Sequence, residues 1–300
     1  MARFLAPQAA DTSDRVVETV LLLGRRGYAL TAARLGGVCL GGAVAEAQVR
    51  WAAAARPELA IAEGLVVERS AIPRAGDILE RSSNHDLEAA RYLEMTVRFV
   101  RTLVRVAPFI RSVSIAGSLA SGGFRSSDDV DLNLIVDDGC RHLAYVAVNV
   151  LGLAHAFAHR GKPVDDLTRR PVAPRLMTAN LILERSQCRP LRRQDADMAF
   201  ELLMSEPVFG QDEIREVLVA NPALADHFPQ LSTKTAAHTT DGTAPRWPRW
   251  LFPRRLDSAA RVLGEAAWRY MQWTRRHHPE ALARVAFVRQ TMRPYTLFDR

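Results

Sequence analysis

The stretch that most constrains the fold lies near the middle of the chain and reads VSIAGSLASGGFRSSDDVDLNLIV, residues 113–136. A short apolar run ends in Gly117-Ser118, a segment of small residues follows, and Asp129-Val130-Asp131 opens a second apolar run. Side chains alternate between the two faces of a strand. We therefore expect Asp129 and Asp131 to project from one face, with Val130 packed on the other.

This pairing of carboxylates with a Gly-Ser turn predicts a specific chemistry. Two carboxylates that lie close together repel each other unless a cation sits between them, and a hard divalent ion with oxygen ligands is the usual solution. The turn offers backbone N–H groups and a hydroxyl, which suit phosphate oxygens. The stretch therefore predicts metal and phosphate bound side by side.

The same residues resemble the signature of the DNA polymerase beta-like nucleotidyltransferase superfamily. Gly117, Ser118, Asp129 and Asp131 match its motif, whereas many relatives have Ser where this chain has Asp128. The resemblance implies an α+β fold, with a small mixed sheet flanked by helices. It also implies transfer of a nucleoside monophosphate from a nucleoside triphosphate (NTP) to a hydroxyl group.

The resemblance implies roles for individual residues as well. Asp129 and Asp131 would be catalytic ligands of Mg²⁺, with two ions expected, and Gly117, Ser118 and Arg125 would contact the NTP. An arginine of the 160–175 loop is a further candidate for neutralising the developing charge.

A third carboxylate usually comes from a later strand in this superfamily. The strand predicted at residues 176–184 offers Glu184, and period-2 counting places Asn180, Ile182 and Glu184 on one face. Asp165 and Asp166 are alternatives if their loop folds over the site. We take Glu184 as the third catalytic candidate.

Net charge and the distribution of arginines limit the kinds of partner that the chain is expected to bind. The chain has 300 residues, 48% of them hydrophobic, and a net charge of +7, which invites a nucleic-acid hypothesis. The arginines are spread along the chain, however, and no dense basic stripe forms, so nucleic acid is possible but not favoured. The N-terminus shows no signal-peptide pattern. The three cysteines suggest neither a disulfide framework nor a metal site, and together with the lack of a membrane span they favour a cytoplasmic protein.

Hydrophobic periodicity divides the chain into four parts. Residues 1–83 resemble a winged helix, with three helices, the second capped by Thr31, before a strand at 62–68. Residues 84–231 form the catalytic domain, residues 232–248 a linker, and residues 249–300 a helical segment. We expect this segment to dock onto the main body or a partner subunit; the alternative is that its aromatic residues, which lie among arginines, stack on bases.

Within the catalytic domain, further elements surround the motif. We expect a helix at 84–106 with Asn84 as its N-cap, a buried helix at 142–158, and a helix at 194–205. Helix and loop then continue to Pro229. Asp137 follows the central strand, and we expect it to be solvated.

Two classes of function remain open. The first is a nucleotidyltransferase acting on a small molecule or a protein hydroxyl. The alternative is a non-catalytic DNA-binding regulator, or a partner-binding protein, built on a degenerate nucleotidyltransferase fold.

Overall fold

The N-terminal elements form a helical unit with a small sheet. The computed structural model describes residues 11–159, 176–234, 240 and 242–298. Its first elements are α1 (Thr12–Gly24), β1 (Leu30–Thr31), α2 (Ala32–Gly37), α3 (Glu46–Ala55), β2 (Leu59–Ala62) and β3 (Leu65–Glu68). The three strands pair antiparallel in the order β1-β3-β2.

The sequence predictions for this unit hold with small shifts. Thr31 caps α2, because its hydroxyl accepts a hydrogen bond from the backbone N–H of Arg34. The strand predicted at 62–68 is part of the hairpin β2–β3, which turns at Glu63-Gly64, where both residues have positive φ. Of the apolar residues at helical spacing in α1, Val16, Val20 and Leu23 are buried, whereas Leu21 is exposed.

The central part of the chain carries the larger sheet. Its elements are α4 (Ala75–Val106), β4 (Ile110–Ala116), α5 (Gly117–Ser121), β5 (Val130–Val136), α6 (Arg141–Ala158), β6 (Met177–Glu184), α7 (Ala196–Met204), β7 (Glu206–Phe209), α8 (Gln211–Ala220) and α9 (Ala223–His227). The strand order is β6-β5-β4-β7, with β5 parallel to β6 and the other pairs antiparallel. The molecule is therefore α+β, with small sheets flanked by helices.

Helix α4 differs from its prediction at one end. It begins at Ala75, so Asn84 lies inside the helix and is not its N-cap. No proline lies between Pro73 and Pro108, and the half-buried Ile78 gives the early turns an apolar contact, which allows the helix to extend. The predicted apolar stripe is buried where α4 crosses the sheet, at Phe99, Val100, Leu103 and Val104, whereas Leu87 is exposed.

Two apolar cores lie on opposite faces of the larger sheet. Alternate residues of β5, from Val130 to Val136, pack with α4 and α6 on one face. Ile135 of β5 and Leu181 and Leu183 of β6 pack on the other face with α7 and with residues of the N-terminal helices. The N-terminal unit therefore shares a core with the sheet.

The second face of the sheet changes character along its length. It is apolar toward Ile135, Leu181 and Leu183, but at the other end of the same strands it carries Asp131, Asn133 and Asn180. Because these side chains are polar, the apolar core does not extend over that end of the sheet, and two cavities open there. This end of the sheet positions the candidate site.

Strand β7 was not predicted; helix and loop were expected there. The segment EPVF is short and contains Pro207, which cannot donate a ladder hydrogen bond. It pairs at the sheet edge with β4, where Ser114 lies opposite Pro207. Tertiary pairing at the edge overrides the weak local pattern.

The C-terminal segment contains α10 (Arg255–Arg275) and α11 (Pro279–Met292) and packs onto the sheet unit through α6. Asp257 accepts hydrogen bonds from the Leu143 backbone N–H at 2.9 Å and pairs with His142 at 2.7 Å. Phe252 stacks edge-on against Phe109. Of the predicted linker 232–248, residues 235–239 and 241 lie outside the described residues. No helix in the described part of the chain is long and apolar enough to cross a membrane.

Candidate active site

Gly117 and Asp131 meet where β4 and β5 end side by side. The antiparallel register pairs Ala116 with Asp131, which brings the next residue, Gly117, beside the carboxylate. Gly117 has φ of +63°, and a Cβ at this position would lie 3.0 Å from Cγ of Asp131 and overlap its Oδ2. The position therefore requires glycine for two reasons, its backbone conformation and the space that Asp131 occupies.

The Asp131 carboxylate is also held from the neighbouring strand. Parallel pairing of β5 and β6 places Thr178 opposite Asp131. The Thr178 hydroxyl donates a hydrogen bond of 2.9 Å to Oδ1 of Asp131. One oxygen of the carboxylate is thus oriented by Thr178, and the other lies against Gly117.

Asp128 organises the loop between the two motif halves. Its Oδ2 accepts hydrogen bonds of 3.1 Å from the Ser118 hydroxyl and from the backbone N–H of Arg125. Ser118 is buried, and its hydroxyl proton is committed to Asp128. The predicted contact of Ser118 with the NTP stays a prediction, and its observed position stabilises the loop.

Asp129 and Asp131 line one cavity, of about 280 Å³, which we call the C-terminal cavity. As expected from the alternation of side chains, the two carboxylates share it while Val130 is buried in the core. Its opposite wall comes from α10, α11 and the residues that follow them. The aromatic members of this wall are Trp268, Tyr295 and Phe298, and Tyr145 of α6 also lines the cavity. The Phe298 ring centroid lies 5.2 Å from that of Tyr145 and 6.3 Å from that of Trp268.

Asp131 also lines a larger cavity of about 650 Å³, which we call the central cavity. Gly117, Ser121 and Glu201 line it, together with residues from the ends of α1 and α4. The two cavities share Asp131, Asn180 and Met292 in their linings. Asp131 therefore stands where two ligand-sized spaces meet.

A third acidic side chain reaches the central cavity from α7. Oε1 of Glu201 accepts hydrogen bonds from the amide of Asn133 at 2.9 Å and from the amide of Asn180 at 3.1 Å, and Asn180 also donates to Asn133 at 3.0 Å. This network lies next to Asp131 on the same face of the sheet. The sequence pattern places Glu201 on an amphipathic helix and gives it no role in the site.

Glu184 does not join the site, so that part of the sequence prediction is corrected. The register pairs Glu184 with Val136, whereas Thr178 pairs with Asp131, so Glu184 lies at the opposite end of the strands. There it accepts a hydrogen bond of 2.9 Å from the Gly139 backbone N–H. A register shift after Leu132 also breaks the period-2 count, which turns Asn180 to the Glu201 side while Ile182 packs in the other core.

The other acidic candidates stand apart from the site or outside the described residues. Asp165 and Asp166, like the whole 160–175 loop, lie outside the described residues. Asp137 is not solvated as predicted, because it accepts hydrogen bonds from Arg111 and Arg249. Burial raises the pKa of Asp137, but these two arginines outweigh it and hold the pKa below its ordinary value.

The donor set fits Mg²⁺. Magnesium is commonly held by one or two carboxylates together with waters and substrate phosphates, and Asp129 and Asp131 supply two carboxylates in one cavity. Within the described ranges, no group of three or more His, Cys, Asp or Glu side chains is arranged for a metal. The protein's share of a magnesium site would thus be these two residues.

No protein-family model, no curated protein and no solved structure matches the chain.

Proposed function

We propose that the protein is a metal-dependent nucleotidyltransferase that moves a nucleoside monophosphate from an NTP to a hydroxyl-bearing acceptor. The observation that carries the proposal is the contact between Gly117 and the Asp131 carboxylate. That contact joins the two halves of the sequence motif into one site on neighbouring strands. A small mixed sheet flanked by helices is also what the DNA polymerase beta-like superfamily resemblance implies.

Each motif residue has a distinct task in this proposal. Asp129 and Asp131 would hold Mg²⁺, which when bound neutralises triphosphate charge and lowers the pKa of the acceptor hydroxyl. Thr178 keeps Oδ1 of Asp131 in one orientation. Gly117 lets the Asp131 carboxylate lie close to the backbone at the end of β4.

Two cavities that meet at Asp131 support a reaction between two substrates. The larger, central cavity has room for the NTP, and the C-terminal cavity would take a small acceptor. A bond would form between the acceptor oxygen and the α-phosphorus, and the bond from that phosphorus to pyrophosphate would break. Placing both substrates against one residue removes much of the entropic cost of their encounter.

The N-terminal unit has three helices and the antiparallel sheet β1-β3-β2. These elements support the resemblance to a winged helix, and we infer an accessory role for the unit. Its helices share a core with the sheet that carries Asp131. The helix expected to read DNA would be α3, where Arg50 is paired with Glu46. A shared core favours a structural part of the catalytic unit over an independent DNA reader.

The proposal is tested by release of pyrophosphate. Wild-type protein is incubated with Mg²⁺, each of the four NTPs and a panel of small-molecule and protein acceptors. Asp129→Asn together with Asp131→Asn is expected to abolish turnover, while Asp86→Asn, an exposed residue of α4, leaves it unchanged. Equal pyrophosphate release by the double variant and the wild type would refute the assignment.

A further inference from the structure

Two arginines at the start of α4 face the candidate site from the N-terminal unit. Arg74 and Arg81 both line the central cavity, which also contains Gly117 and Asp131. They are seven residues apart, so two helical turns bring them to the same side of α4. Neither forms an ion pair with any residue that the structure describes, which is unusual beside a cavity that also contains carboxylates.

A third arginine approaches the same place from the motif loop. Arg125 lines a smaller cavity of about 300 Å³, the arginine cavity, together with Arg74 and Arg81. Its Nε is buried and has no hydrogen-bond partner among the described residues. A buried donor without an acceptor is costly, and an anionic ligand would satisfy it.

The acidic neighbours neutralise this group only in part. The central cavity is lined by four arginines and four carboxylates; of the carboxylates, Asp197 is paired with Arg26 at 2.8 Å and Glu201 accepts hydrogen bonds from Asn133 and Asn180. The arginine cavity is lined by three arginines and by two carboxylates, Glu68 and Asp77, which leaves a formal charge of +1. A net positive charge therefore remains in the arginine cavity for an anionic ligand.

We propose that Arg74, Arg81 and Arg125 bind the polyphosphate tail of the triphosphate substrate, so that the N-terminal unit forms one wall of the active site. This inference rests on the proposed nucleotidyltransferase function, because it assigns the phosphate end of that substrate. The three arginines lie inside cavities of ligand size. A short chain of phosphates can enter such a cavity, whereas a nucleic-acid duplex is too broad for it. Guanidinium groups also match phosphate oxygens in geometry.

Isothermal titration of inorganic tripolyphosphate, with Mg²⁺ and about 150 mM salt, tests the inference on the full-length protein. Arg74→Ala with Arg81→Ala is expected to weaken binding by roughly 30-fold or more, since each charge-assisted contact contributes about a factor of ten. Arg74→Lys with Arg81→Lys is expected to recover part of the affinity. Arg125→Ala is expected to weaken binding as well.

The matched control is Arg98→Ala with Arg101→Ala. It removes two positive charges from the exposed side of the same helix, where Arg98 is paired with Glu94. This variant is expected to bind as the wild type does. If the Arg74/Arg81 alanine variant keeps wild-type affinity, or if the control loses as much affinity, the inference is wrong. Absence of tripolyphosphate binding by the wild type would also overturn it.

The outcome for the proposed function is read separately, from pyrophosphate release. Arginine-dependent binding of tripolyphosphate with no pyrophosphate release from any NTP would uphold the polyphosphate site and refute nucleotidyl transfer. Turnover that persists in the Arg74/Arg81 alanine variant with an unchanged KM for NTP would uphold nucleotidyl transfer and refute the polyphosphate site.

Discussion

At the scale of single residues, Gly117 is the position where backbone and chemistry are most tightly coupled. Its positive φ disfavours any side chain, and the space that a Cβ would need is filled by the Asp131 carboxylate. Gly64 offers a comparison, because it also has positive φ, +77°, but a Cβ there would meet nothing within 4 Å. Comparing substitutions at the two positions therefore distinguishes the effect of backbone strain from the effect of displacing Asp131.

We predict that Gly64→Ala lowers the free energy of unfolding by about 1 kcal/mol, the cost of placing a non-glycine residue in the left-handed region. Gly117→Ala should lower it by roughly 2.5 kcal/mol or more, because displacing Asp131 also breaks its hydrogen bond from Thr178. Only Gly117→Ala should also reduce metal-dependent pyrophosphate release, by about tenfold or more, because Asp131 must swing away from Thr178. Urea unfolding and the turnover assay measure the two effects. A comparable loss of turnover in Gly64→Ala would show that the effect is general strain.

The residue-scale features differ in how far the sequence reveals them. The spacing of Gly-Ser and Asp-x-Asp predicts Gly117, Asp129 and Asp131 as site residues, because all three belong to one short motif of the sequence. Glu201 could not be found in this way, since its partners Asn133 and Asn180 lie on two different strands. Only the three-dimensional register brings these residues together.

At the scale of elements, the parallel pairing of β5 with β6 is the device that orients the candidate metal ligand. Thr178 lies opposite Asp131 in this register and donates to its carboxylate. A hydrogen bond to a charged group contributes about 1.5–3 kcal/mol. This strand pair therefore acts on the site through one hydroxyl.

Thr178→Val keeps the shape of the side chain but removes that donor. We expect metal-dependent turnover to fall roughly tenfold, which corresponds to about 1.4 kcal/mol, with a larger loss at low Mg²⁺ because the ligand is less well oriented. Thr178→Ser retains the hydroxyl and should keep most of the activity. The prediction fails if Val and Ser variants have the same Mg²⁺ dependence as the wild type.

Elements with a strong periodic pattern could be predicted, and elements defined by their neighbours could not. Helix α6 and strand β6 fall close to where the sequence places them, at Arg141–Ala158 and Met177–Glu184. Strand β7 depends on pairing with β4 at the sheet edge, and the face of Asn180 depends on a register shift that simple alternation cannot show. The error in placing Glu184 has a different cause, since the pairing of Thr178 with Asp131 puts Glu184 at the opposite end of the strands.

At the scale of the whole molecule, the C-terminal segment closes one side of the site. Residues after α11 that showed no pattern in the sequence line the C-terminal cavity, among them Phe298. The segment is fastened by charged contacts to the sheet unit: Arg249 donates to Asp137 at 2.8 Å, and Asp257 pairs with His142 at 2.7 Å. Its docking should therefore depend on pH.

The sign of that dependence follows from the two carboxyl groups. Burial raises the pKa of Asp257, but its hydrogen bonds to His142 and to the Leu143 backbone N–H outweigh this and lower the pKa. The pKa of Asp137 is lowered as well. A carboxyl group with a lowered folded-state pKa stabilises the fold fully above its ordinary value, near 3.8, and loses that contribution as pH falls through the lowered value.

We therefore predict that the C-terminal segment detaches from the sheet unit as the pH falls below about 3.8. This should occur at a higher pH than global acid unfolding. Three of the five tryptophans lie in this segment, at positions 250, 268 and 273. Trp268 is half-buried, so tryptophan emission should shift to the red in this range. In the variant with Asp137→Asn and Asp257→Asn, emission should already be shifted at pH 7 and should change little with acid. Asp212→Asn, which removes one partner of an exposed ion pair with Arg215 on α8, should titrate as the wild type does. An acid transition in the double variant with wild-type midpoint and amplitude would show that other groups control docking.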